Sequence, residues 1–328
     1  MPFIFPPFWH PAQAGGFILD WDGVLANTKL NFQRIRDKYF NGRLVPLLES
    51  GRLLEEKKRL ELERDLLEVE MEGARRATPV PGAMELIKWL EDNNKPWAVV
   101  SRNCLASVQE AASRCGITLP KHVFTRDQEP IKPDPKALWM AAECLGIPYE
   151  NCVVVGDFLY DLQGARRARM RAVLVERKGE SWAFWADAEF ESVKCLVESL
   201  RNPAPLVPWE YKNLAEEKGE EWLKEAWQED VLLPAESPLV LDIAYEAARL
   251  GVGCMVVDEK SQISLEHWAA SRMLTLDWVG RTIWEGVDSL IKDRFPQVKV
   301  RTGCEGIMLP QKPEEVESFM EERIVHGK

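Results

Sequence analysis

Gly16-Phe-Ile-Leu-Asp20-Trp-Asp-Gly23-Val-Leu-Ala-Asn-Thr28 decides how the rest of the chain is read. Phe17 to Leu19 form an apolar run long enough for a buried strand and too short for a helix. The run ends at two carboxylates, Asp20 and Asp22, with Trp21 between them, and Gly23 gives the backbone the freedom that a tight turn needs. A strand that delivers paired carboxylates into a turn predicts a site at the strand's carboxyl end.

The segments downstream repeat this plan. Trp97 to Val100 predicts a strand that stops at Ser101, Val123-Phe124 a shorter strand, Cys152 to Val155 a strand running into Gly156-Asp157, and Ala172 to Val175 another. Between them, helical patterns fall at Ala83 to Glu91, Ser107 to Cys115, Lys136 to Leu145 and Asp161 to Arg169. Strands alternating with helices imply right-handed βαβ units and a parallel sheet. Each polar cluster follows the carboxyl end of a strand, where open α/β sheets bind ligands.

Leu30 to Arg76 is different, being dense in Leu, Glu, Lys and Arg. Leu53, Leu60 and Leu67 stand at heptad spacing and Glu55 lies four residues before Arg59, which predicts a hairpin of helices with the leucines as core or pairing surface. The charged run Glu55 to Arg76 is read as a solvated helix face. Thr78-Pro-Val-Pro-Gly82 ends the segment.

The residue types indicate phosphoryl chemistry. A carboxylate is a competent covalent nucleophile toward phosphorus, and a second one two residues on can protonate the leaving oxygen and then deprotonate water. Asp20 and Asp22 are read in these two roles. So much negative charge beside a phosphate needs compensation, for which Mg²⁺ is the expected cofactor, with Asp157 as a further acidic ligand. The hydroxyl of Ser101 and the amides after it can hold phosphate oxygens. Lys132, in Ile131-Lys-Pro-Asp-Pro135, adds a cation for the phosphoryl group in flight. Asp161 can orient a metal-bound water, brace Lys132 or cap the helix it begins. Arg102 and Asn103 are either substrate contacts or part of a polar loop.

Taken in order, Asp20 to Thr28, Ser101, Lys132 to Pro135 and Gly156-Asp157 through Asp161 resemble the four motifs of the haloacid dehalogenase superfamily, over about residues 16 to 200. Phe124-Thr-Arg-Asp127 with Lys132-Pro-Asp-Pro135 is similar to the phosphoglycolate-phosphatase-like branch. The resemblance implies Asp20 as nucleophile, Asp22 as acid/base, Mg²⁺ held by Asp20, the Asp22 carbonyl and Asp157, and phosphate held by Ser101 and Lys132. It also implies that the helical insert is a cap that selects substrates. The expected organisation is a Rossmann-like α/β core of residues 1–28 and 79–201, a helical cap of residues 29–78, and an α/β extension of residues 209–328, reached through the linker Asn202 to Pro208. In the extension, strands are predicted at Gly253 to Val257 and Val298 to Arg301.

Bulk properties fit this reading. With 328 residues the chain accommodates two domains. Its 46% hydrophobic and 29% charged content is that of an ordinary globular protein. A net charge of −11 argues against nucleic acid as a partner. Seven cysteines without a C-x-x-C pair indicate neither zinc nor a disulfide framework. The four histidines, His10, His122, His267 and His326, have no ligand spacing. No apolar run approaches the ~20 residues that span a bilayer, so the expectation is a cytoplasmic protein without a membrane partner, in which a homo-oligomer is left open. The expected activity is hydrolysis of a small phosphorylated metabolite. A phosphomutase using the same aspartyl phosphate is the rival within enzymes, and a scaffold acting through the extension is the rival outside them. Asp22 disfavours a dehalogenase, which does not need a second aspartate.

Overall fold

A computed structural model describes residues 4–326, so residues 1–3 and 327–328, at the outer limits of the expected core and extension, lie outside it together with the side chain of His326. The chain divides into two compact units, one of residues 11–203 and one of residues 1–10 with 204–328.

The first unit is built on a six-stranded parallel sheet. Its strands are β1 (Gly16–Leu19), β4 (Trp97–Val100), β5 (Val123–Phe124), β6 (Cys152–Gly156), β7 (Arg171–Val175) and β8 (Ala188–Phe190), in the order β5-β4-β1-β6-β7-β8. The central runs are apolar without alternation because helices cover both faces, as parallel sheets require. Phe17, Ile18 and Leu19 are fully buried between β4 and β6, with Phe17 in register with Trp97 on one side and Val153 on the other. The chain leaves β1 toward β4 and β5, then returns to its other flank for β6. The carboxyl ends of β1 and β6 therefore flank a topological switch point, the crevice where such sheets bind ligands.

The covering helices are α4 (Ala83–Asp92), α5 (Leu105–Cys115), α6 (Pro135–Leu145), α7 (Leu159–Arg167) and α8 (Val193–Arg201). Asp134 caps α6 by accepting the Lys136 N–H, with Pro135 at the first helical position where no donor is needed. The start of α7 lies two residues earlier than the sequence predicts.

Between β2 (Ala26–Asn27) and β3 (Thr78–Pro79), which pair antiparallel, the chain forms α1 (Gln33–Phe40), α2 (Leu47–Gly51) and α3 (Glu56–Ala74). This insert is three helices rather than a hairpin of two, with a small core around Ile35, Phe40, Leu47, Leu62, Leu66 and Val69. The expected leucine stripe is not that core: Leu53, Leu60 and Leu67 are 88%, 51% and 42% exposed. The buried face of α3 instead follows Leu62, Leu66, Val69, Glu70 and Gly73, the three- and four-residue steps of a single helix packed on a globular surface. Glu70 is buried, so the charged run is not uniformly a solvated face.

The second unit is a four-stranded parallel sheet, β11-β10-β9-β12, formed by β9 (Asp230–Leu232), β10 (Cys254–Val257), β11 (Lys299–Thr302) and β12 (Ile307–Met308). Its helices are α9 (Lys212–Lys218), α10 (Glu220–Trp227), α11 (Val240–Arg249), α12 (Leu265–Ala270), α13 (Ile283–Arg294) and α14 (Pro313–His326). Ile4 and Phe8 pack into its core, and Trp9 exchanges backbone hydrogen bonds with Leu206 at 3.0 and 2.9 Å. Residues 4–10 thus group with the extension and not with the core to which the sequence assigns them, because Ile4 and Phe8 have apolar partners there. Among the described residues, no helix is long and apolar enough to cross a membrane.

Candidate active site

Four strand ends and one loop supply the site. The Asp20 N–H donates to Val155 O at 2.9 Å, which ties the residue after β1 to β6. Gly23 has φ +78°, and a Cβ there would lie 2.4 Å from Asp157 Oδ2, so only glycine lets the turn approach the second acidic loop. A Cβ on Gly156 would likewise meet the Asp161 side chain at 2.2 Å. The two acidic turns are packed against each other through glycine positions.

Lys132 is the centre of charge. It is 2% exposed, and its Nζ donates to Asp20 Oδ1 at 2.6 Å and to Asp161 Oδ1 at 2.5 Å. Burial pushes its pKa down, but Asp161 and Asp20 outweigh burial and leave it raised, so the ammonium stays charged. The other oxygen of Asp161, Oδ2, accepts the Phe158 N–H at 3.1 Å at the start of α7. Asp161 therefore braces Lys132 and caps a helix at once.

Asp20, Asp157 and Asp161 bring carboxylate oxygens within 4.8 Å of one another. Burial pushes the Asp20 carboxyl up to about 8, with Asp161 and Asp157 adding to the rise and Lys132 opposing it. Burial likewise lifts Asp157 to about 7, with Asp161 adding and Arg177 opposing. Arg177 Nε donates to Asp157 Oδ2 at 3.0 Å. Among the described residues, one oxygen each on Asp20 and Asp157 thus remains without a cation. An all-oxygen donor set with surplus negative charge fits a hard divalent cation such as Mg²⁺.

Asp22 lies across the turn. Its Oδ1 accepts the Thr28 N–H at 2.9 Å and the Thr28 hydroxyl at 2.6 Å. Burial raises its pKa, and the Thr28 hydrogen bonds partly offset the rise. Trp21, between the two aspartates in the chain, is fully buried, and its indole Nε1 has no hydrogen-bond partner among the described residues.

Ser101 follows β4 and is buried; its N–H continues the sheet ladder to Phe124 O at 2.8 Å. The amides after it are less available than the sequence suggests. The Asn103 N–H donates to Ser101 Oγ at 3.1 Å and the Cys104 N–H to Glu70 Oε2 at 2.9 Å. This leaves the Ser101 hydroxyl proton, and the Arg102 N–H, for which no acceptor is found among the described residues, as donors at the cleft wall.

Sequence reasoning offered Arg102 only as a substrate contact or a loop residue and missed Glu49, Glu70 and Arg126, the other groups that join the insert to this site. Arg102 donates to both oxygens of Glu49 on α2 at 2.9 Å each and to the Lys132 carbonyl, with its guanidinium 4.1 Å from the Tyr160 ring centroid. Glu70 on α3 accepts from Arg126 Nε at 2.9 Å. Glu70 was detectable as the charged residue on the buried face of α3, and Arg177 by its place two residues beyond β7. Glu49 carries no local signal. The insert and the strand ends enclose a cavity of about 570 Å³ that contains Asp20, Asp22, Ser101, Lys132, Asp157 and Asp161 in its wall. All six residues singled out from the sequence meet in one place.

Comparison with known proteins agrees. A family model described as haloacid dehalogenase-like hydrolase matches residues 15–169. The chain is 32% identical over 99 residues to Protein SUPPRESSOR OF QUENCHING 1, chloroplastic, of Arabidopsis thaliana, covering 29% of this chain and 9% of that protein. It is 31% identical over 81 residues to Hexitol phosphatase A of Escherichia coli, covering 24% of this chain and 38% of that protein. The chain therefore spans well under half the length of either relative. A crystal structure of a hydrolase from Pseudomonas syringae superposes with TM-score 0.51 and 21% identity over 58% of this chain and 99% of that one, a likeness of fold. Strand order, motif order and the family match coincide on the same stretch: residues 15–169 are a haloacid dehalogenase-like hydrolase domain.

Proposed function

We propose that residues 11–203 form a Mg²⁺-dependent phosphatase that hydrolyses a small phosphate monoester through a phosphoryl-aspartate on Asp20. The observation that carries this reading is the buried Lys132 ammonium held between Asp20 and Asp161 beside the carboxylate of Asp157. Asp20 and Asp157, with the Asp22 main-chain carbonyl, would hold Mg²⁺, which supplies charge neutralisation at the phosphoryl oxygens. Asp161 is the brace, since Lys132 and the Phe158 amide already occupy its two oxygens.

Lys132, donating to Asp20 Oδ1, fixes the orientation of the carboxylate, so that one of its oxygens can meet phosphorus. That oxygen attacks, the bond from phosphorus to the leaving oxygen breaks, and Asp22 in its protonated form gives the leaving oxygen its proton. The raised pKa of Asp22 suits it to carry that proton. In the second half, the Asp22 carboxylate takes a proton from water as the water oxygen attacks phosphorus and the bond to Asp20 breaks. Ser101 and Lys132 bind the transferring oxygens throughout, where preorganised donors contribute most. The helical insert acts as the cap over this site.

Turnover of p-nitrophenyl phosphate with and without Mg²⁺, by wild type and Asp20→Asn, tests the reading. Metal-dependent hydrolysis that the substitution abolishes is expected. Equal rates from both proteins would refute it.

A further inference from the structure

The leaving group that this pocket takes can be read from its wall; the inference rests on the phosphatase reading above. On the insert side the cavity is lined by Leu30, Phe32, Leu47 and Leu66, and on the other side Phe158 and Tyr160 face it. A hydroxyl-rich leaving group would give up water on every hydroxyl and find few partners on such a wall. An apolar or aromatic body suits it.

The charges on the wall are nearly all matched. Lys132 is held by Asp20 and Asp161, Arg177 by Asp157, and Arg102 by Glu49. Glu70 is taken by Arg126 and the Cys104 amide. Arg36, on α1, is the lining cation for which no carboxylate partner is found among the described residues. Its Nε is buried without a hydrogen-bond acceptor. The Nε is shut off from the cavity, so a bound group meets the terminal nitrogens of this part-exposed guanidinium, for which no acceptor is found among the described residues. The guanidinium fork matches the oxygens of a carboxylate or phosphate.

We propose that Arg36 receives a second oxyanion carried by the leaving group, so that the substrate is a phosphate ester of an apolar or aromatic body bearing a further acidic group. One end of the substrate meets Lys132 and Ser101, and the other meets α1. The insert then selects by charge as well as by shape.

Binding of non-hydrolysable probes isolates this claim from catalysis. Phenylphosphonate, 4-carboxyphenylphosphonate and 1,4-phenylenediphosphonate are titrated calorimetrically into the full chain with Mg²⁺ present, for wild type, Arg36→Met and Arg36→Lys. Thermal melts establish that each variant is folded. Wild type is expected to bind one or both difunctional probes at least about tenfold tighter than phenylphosphonate. Arg36→Met should remove the difference and Arg36→Lys should keep part of it. The relative strength of the two difunctional probes tells carboxylate from phosphate. No preference in wild type, the same preference in Arg36→Met, or no binding of any probe would overturn the proposal. Failure of wild type to turn over p-nitrophenyl phosphate would instead count against the phosphatase reading, whatever the probe affinities.

Discussion

Lys132→Met removes the one cation that, among the described residues, touches both Asp20 and Asp161, while leaving a side chain of similar length. Lys132 is 2% exposed, so the variant strands two carboxylates in a buried site. Deleting one partner of a buried ion pair costs about 3–5 kcal/mol. At about 2–4 °C per kcal/mol for a unit of this size, the melting transition of residues 11–203 should fall by about 6–20 °C. The loss should depend on pH, because a proton can replace the ammonium. Asp20 already sits at about 8 in the folded protein against 3.8 for the ordinary carboxyl, and losing Lys132 raises it further. The folded state then keeps a proton that the unfolded state releases, so stability declines as pH rises from 4 through 8. Wild type shares that decline up to its own midpoint near 8, so the deficit is about constant from pH 5 to pH 7 and widens above pH 8, where only the variant goes on losing stability. Urea unfolding of both proteins without metal at pH 6 and pH 9 measures it. A deficit below about 1 kcal/mol at pH 9, or one that shrinks as pH rises, would refute the reasoning.

Three further outcomes are expected. Glu70→Ala strands Arg126 and the Cys104 amide, and should cost about 2–4 kcal/mol by chemical denaturation, with Glu70→Gln costing less because it keeps an acceptor. His10 is held at about 4 by burial against 6.5 when free. The unfolded chain takes up a proton that the folded unit refuses, so stability falls as pH drops from 6.5 through 4, and His10→Gln should flatten that part of the profile of the unit containing residues 204–328. Mg²⁺ must displace protons from Asp20 and Asp157, which stand at about 8 and 7. Its affinity by calorimetry should rise between pH 6 and pH 8 with release of protons to buffer, and an affinity that is flat over this range would contradict the site assignment.

Much of the first unit was legible because its signals are local. The runs Phe17 to Leu19, Trp97 to Val100 and Cys152 to Val155 are apolar, short and cut off by polar residues, so strand and site position are read together. What escaped is non-local. Leu53, Leu60 and Leu67 satisfy a heptad, yet the insert packs as a compact cluster against the core, which selects the face of Leu62, Leu66 and Val69. Glu70 looks like its charged neighbours until Arg126, 56 residues away, comes to meet it. Arg177 and Arg102 acquire their importance from carboxylates brought to them by other strands and helices. The attachment of residues 4–10 to the second unit depends on pairing of Trp9 with Leu206 at long range, which no local pattern announces.

The most direct test follows the phosphoryl group itself. Wild-type protein turning over a phosphate ester with Mg²⁺ is quenched in acid, digested and analysed by mass spectrometry. A phosphoryl adduct on the side chain of Asp20, absent when the ester is omitted and absent in Asp20→Asn, is the expected result. Sustained turnover in wild type with Asp20 unmodified at every quench time, or undiminished turnover in Asp20→Asn, would contradict the account.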